Sequence, residues 1–220
     1  MKNKTTINIF VSIIIFLFSK NIYANDLGIP KDSYDRIVNL LTATRDRLYE
    51  QNDRIWHAGE HARNIIVLRL ITELDPTDVD AYDNAAWLLQ SDLRDDEAEI
   101  LLIKSSEINN SEPDPFFYLG YFYYMHERFE EALTNLEIAN SYQNIPPFYR
   151  SLLAHAYELA GYNYTALSIW CLIKLNDPSN TLADAHITRI ITGGKPSNIP
   201  KIMGESRAYR RELKEKGLPY

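Results

Sequence analysis

Phe129–Asn140 reads FEEALTNLEIAN, a helix-forming stretch with alanine where a buried helix usually carries leucine. Ala132 and Ala139 sit seven apart and therefore share one helical face. A face kept that narrow lets a second backbone come close. The same small residue recurs along the chain: Ala98, Ala132 and Ala166 follow one another at a step of 34. Leu68, Leu102, Leu136 and Trp170 keep the step, as do Ala86, Gly120 and Ala154. So do Pro76, Asn110, Asn144 and Pro178, each at the end of a predicted helix. A period of this length marks helix–turn–helix units that bury their apolar faces by stacking.

The pattern resembles the tetratricopeptide repeat (TPR), a 34-residue helix–turn–helix family. The best copy, Pro113–Pro146, carries Leu119, Gly120 and Tyr123, then Ala132, Leu136 and Ala139, at the signature places. The fourth copy supplies Leu153, Ala154, Tyr157, Gly161, Ala166, Trp170 and Pro178; the second, Ala85, Ala86, Leu89, Ala98 and Leu102. The first matches through Gly59, Leu68, Ile71, Asp75 and Pro76. The resemblance implies an all-α solenoid of about four repeats at residues 45–178 (45–78, 79–112, 113–146, 147–180), turning near Gly59, Arg94, Arg128 and Gly161. In each pair the small residues are expected to face each other, letting the helices approach to about 8–9 Å. The first copy departs: both small positions are asparagine, Asn52 and Asn64. These either satisfy each other's hydrogen bonds or hold a widened pair apart around water.

Outside the repeats, residues 25–44 read as an N-terminal helix extension, with Asp32 or Ser33 able to cap its start, and 181–194 as a capping helix. Residues 195–220 form a linker and a basic last helix with Arg207, Arg210 and Arg211. The first 24 residues have the layout of a secretory signal peptide: a basic start, an apolar run at 7–18, then a stretch ending at Ala24. Twelve residues of helix span about 18 Å, short of a bilayer core of about 30 Å. Cleavage after Ala24 is expected; the alternative is an uncleaved membrane anchor. The expected location is exported, periplasmic or extracellular. Cleavage removes Lys2, Lys4 and Lys20 and no acid, taking the formal charge from −7 to −10. Such a chain is a poor binder of nucleic acid or of an anionic membrane. The single cysteine, Cys171, is expected to be buried, with an intermolecular bridge as the alternative.

No catalytic constellation stands out, no metal site or cofactor is assigned, and the chain reads as non-catalytic. His57 and His61 have metal-like spacing, but the expected turn at Gly59 separates them. His155 falls on a groove-facing position without an evident cluster of carboxylates. The acidic runs at 92–99 and 127–131 lack the glycine and alternating ligands of a calcium loop and suit helix N-termini. The resemblance implies instead a protein–protein interaction scaffold. Its groove is lined by the first helix of each repeat, here through Tyr49, Asp53, Trp56, Asp80, Asp83, Trp87, Phe117, Tyr121, Tyr124, Phe148 and His155. Acids gather toward the N-terminal end and rings dominate the middle. The implied partner is a protein or peptide segment with basic and aromatic or proline residues. The alternatives are a self-associating structural subunit, an accessory domain of an envelope assembly or secretion machine, and rings that only pack on one another.

Overall fold

In a computed structural model, residues 30–219 are described; residues 1–24, read above as a signal peptide, lie outside them. The described residues hold ten helices and no strand. They divide into two compact units, one ending at Asn109 and the next starting at Asn110.

The N-terminal unit contains α1 (Lys31–His57), α2 (His61–Leu74), α3 (Val79–Ser91) and α4 (Asp95–Ile108), each packed on the next. Helix α1 joins the expected extension to the first repeat without a break. It starts one residue before Asp32, behind Pro30, so Asp32 lies in its first turn and pairs with Arg36 instead of capping. Its first ten residues leave Ile37 and Leu40 exposed. From Leu41 onward it meets α2, fastened by Arg45 on Asp75 at 2.7 Å. Ile71, Leu89, Leu68 and Leu102 are almost wholly buried, each contributing about 1.5–3 kcal/mol of apolar transfer. Asn64 donates to both Oδ1 and the backbone carbonyl of Asn52, each at 2.8 Å, so the two asparagines meet directly.

The C-terminal unit contains α5 (Asp114–Met125), α6 (Phe129–Ser141), α7 (Pro147–Leu159), α8 (Asn163–Asn176), α9 (Thr181–Ile191) and α10 (Ile199–Glu215). Helices α5 to α9 pack in succession, and α10 packs back on α5. Arg207 donates to the carbonyl of Met125 at the C-terminal end of α5, where a helix dipole favours a cation. The close approach marked by Gly120 is real, but its nearest neighbour is Leu136: an added Cβ would lie 2.7 Å from Leu136 Cγ and 3.1 Å from its backbone nitrogen. Trp170 is fully buried. Cys171 is exposed, contrary to expectation. The repeat register explains this, since the equivalent position in the preceding repeat is Glu137, which is also exposed.

Both units turn the same way. The four tight turns fall where expected, and Gly59, Leu93, Glu127 and Gly161, one repeat apart, all adopt positive φ. The longer turns repeat too. Asp75 Oδ1 takes the amide and hydroxyl of Thr77, and Asp177 Oδ1 takes those of Ser179, at matching distances of 3.1 and 2.6 Å. Asp78 and Asn180, one residue after those hydroxyls, cap α3 and α9.

Candidate functional site

In the N-terminal unit, Tyr49, Asp53 and Trp56 stand four and three residues apart on α1 and so form one stripe. Trp87 of α3 stands beside them. The two indoles lie 5.8 Å apart at 49°, and Trp56 also meets His61 edge-on at 5.1 Å. Together with Asn52, Leu68, Asn84 and Leu88 they line a recess of about 510 Å³. Trp56 is 42% and Trp87 53% exposed, a large apolar area for an isolated chain to leave in water. Asp53 is exposed beside His57. Tyr49 is fixed by donating to Asp78 at 2.8 Å; burial, then that carboxylate, pushes its phenol up, so it stays a neutral donor. Asp80 is exposed. Asp83 is half-buried, and burial, then Asp80, pushes its carboxyl up to about 6. It thus takes up a proton at a higher pH than an ordinary carboxyl.

In the C-terminal unit the groove-register residues divide. Phe117 is buried and stacked on Tyr149 at 3.8 Å, and Tyr124 is buried with its phenol pushed up to about 12 by that burial. Tyr121 and Phe148 remain exposed. A second recess, of about 520 Å³, is lined by Tyr121, Tyr124, Leu152, His155, His186, Arg189 and the chain at 195–199.

His155, His186 and Arg189 of this recess belong to a polar cluster that continues behind its wall. Glu158 is only 4% exposed. It accepts from Trp170 Nε1 at 2.7 Å and from the Arg189 guanidinium. Arg189 also donates to His186 Nδ1 at 2.7 Å, which leaves that imidazole neutral with its proton on Nε2. His186 stacks on Trp170 at 4.2 Å, and His155 meets it edge-on at 4.5 Å. Burial, then His186, pushes the His155 imidazole down to about 4, and burial lowers His186 as well. Contrary to expectation, His155 does have a carboxylate close by, Glu158 one helical turn further on. His186 is 31 residues away and shows no spacing signal. His57 and His61, the pair with metal-like spacing, end α1 and begin α2 on either side of Gly59.

Helix pairs at a 34-residue step, with a left-handed residue at the same place in every tight turn, define the tetratricopeptide-repeat fold. Comparison with solved structures agrees. The chain is similar to MamA (TM-score 0.58, 15% identity, 79% of this chain and 94% of that one). It is similar to YrrB, described as "a TPR protein with an unusual peptide-binding site" (0.52, 20%, 64% and 73%). It is also similar to PilF of Pseudomonas aeruginosa (0.56, 17%, 82% and 79%). No family model and no curated protein matches the sequence. Among the described residues, no helix is long and apolar enough to cross a membrane.

Proposed function

We propose that this chain is an exported, non-catalytic protein-interaction scaffold that holds a basic segment of a protein partner, anchored by an aromatic or proline residue, in the Trp56–Trp87 recess. The observation that carries this is the pair of half-exposed indoles over a recess with Asp53 at its rim. Tryptophan is the best ring for receiving a Lys or Arg within about 6 Å of its face, and buried tryptophans are frequent binding hot spots. The exposed acids Asp46, Asp53 and Asp80 favour a cationic segment over an acidic one. Support for a peptide-binding role also comes from the likeness to YrrB.

Short peptides pairing Lys or Arg with Trp or Pro, titrated into residues 25–220, provide the test. Binding is expected to change the indole fluorescence, weaken with salt and fall at least tenfold in Trp87→Ala, with the helical circular dichroism intact. Acidic peptides of the same aromatic content binding equally well would sink the charge argument. For location, the mature protein is expected to begin at Asn25; an N-terminus at Met1 in the membrane fraction would favour an anchor.

Self-association is favoured by a different observation, the exposed apolar stripe of Tyr164, Leu172 and Leu175 on α8 with Leu182 on α9. Light scattering over a concentration series distinguishes it from partner binding, because a stable dimer would survive Trp87→Ala and fail in Leu175→Asp.

A further inference from the structure

We propose that His155, Glu158 and His186 form a binding site for one divalent transition-metal ion, with Zn²⁺ the best fit to the donors. One ligand atom from each residue lies within 4.8 Å of the other two. His155 and Glu158 share one face of α7, and His186 comes from α9, so an ion here would tie the cap to the last repeat. Two imidazoles and one carboxylate suit zinc, cobalt or nickel better than calcium or magnesium, which prefer all-oxygen sets. Zinc bonds of about 2.0–2.1 Å put tetrahedral ligand atoms about 3.4 Å apart, so the three side chains need to draw in by roughly an ångström.

The surroundings hold two of the three ligands. Trp170 donates to Glu158 Oε1 at 2.7 Å and stacks flat on His186 at 4.2 Å, fixing the direction of both groups. Such outer contacts are what hold metal ligands in place. The recess of about 520 Å³ gives an entry path and room for a water as fourth ligand. Burying Glu158 requires a cation beside it. In the structure that cation is Arg189, whose guanidinium sits on both Glu158 and His186, the donors an ion would use. Arg189 also lines the recess. Metal binding therefore exchanges one cation for another: the ion takes the two donors, and the guanidinium swings out into the recess.

The experiment uses the full chain without a histidine tag, titrated with ZnCl₂ alone by calorimetry and with CoCl₂ followed by visible absorption. One equivalent of Zn²⁺ is expected, with a rise of several degrees in the melting midpoint, and Mg²⁺ should give neither. The Co²⁺ complex should show the strong absorption of a four-coordinate site. A pale six-coordinate spectrum, or no bound equivalent, overturns the proposal. His155→Ala and His186→Ala are each expected to weaken Zn²⁺ at least tenfold, whereas His57→Ala with His61→Ala should leave it unchanged. The reverse pattern assigns the metal to the surface pair and overturns the proposal. If either single variant loses its helical signal, the Co²⁺ spectrum of the unaltered chain decides. Arg189→Lys, which releases His186, should bind Zn²⁺ at least as tightly; weaker binding would overturn the exchange of cations.

Discussion

The same repeat positions hold different surroundings in the two units, although Tyr121 stays nearly as open as Trp87. One register position reads Asp53 and Trp87 in the N-terminal unit, then Tyr121 and His155 in the C-terminal unit. The position three residues on reads Trp56 and Gln90, then Tyr124 and Glu158. In the N-terminal unit these positions leave two indoles and an acid facing water. In the C-terminal unit they place a phenol and a carboxylate out of water, and the carboxylate needs a guanidinium beside it. A repeat register thus fixes where a side chain starts. What it meets depends on the elements that follow, here α9 and the chain at 195–199, which help to line the second recess.

The sharpest way to break this contrast is to remove a charge partner from each unit. Arg189→Ala leaves Glu158 buried and uncompensated and should cost about 3–5 kcal/mol. Asp53→Ala, at an exposed pair, should cost less than about 0.5 kcal/mol. Urea melts followed by circular dichroism measure both, and equal costs would erase the distinction between the units. Next in size is Gly120→Ala, whose new Cβ meets Leu136 at 2.7 Å. It should destabilise by about 1–3 kcal/mol, and a melting midpoint unchanged within error would mean the α5–α6 contact is looser than described.

Of similar size is a pH effect in the N-terminal unit. Asp83 holds its proton to about pH 6 in the folded chain against an ordinary 3.8. The folded state therefore gains from protonation, a contribution present in full below pH 4 and lost as pH rises through 6. Asp83→Asn, neutral throughout, should stabilise by on the order of 1–3 kcal/mol at pH 7 and by almost nothing below pH 4. Paired thermal melts at the two pH values check this. The smallest effect concerns the turns. Gly59→Ala should cost about 1 kcal/mol, since φ is +72° there. Glu127→Gly, at the exposed equivalent in the C-terminal unit, should gain about 0.5 kcal/mol once the added freedom of the unfolded chain is offset. Opposite signs in the two melting shifts are the expected outcome.

Much of the fold was legible because a period of 34 needs only local patterning. The four turns and the helix pairs followed from register, which set Asn52 opposite Asn64 but left open whether the two would meet or stand apart around water. The start of α1 did not, because Pro30 precedes the helix and makes Asp32 an interior residue. The chemistry of a lone thiol argues for burying Cys171, but its register position, shared with Glu137, points outward. The candidate site was legible only in part. Register named Trp56 and Trp87, but it could not tell that Phe117 and Tyr124 would be closed over while Tyr121 and Phe148 stayed open. Burial of that kind is set by residues distant in sequence, as the stacking of Phe117 on Tyr149 shows. For the same reason His155 gave no hint of His186.

The overhanging start of α1 has a mechanical consequence. Ten residues of helix before Leu41 make a stiff arm about 15 Å long, and Tyr49 lies about 27 Å along the axis from Lys31. Lys31 is therefore held at arm's length from the indoles. A pull on Lys31 would work on one tip of a lever while the other tip stays free to grip.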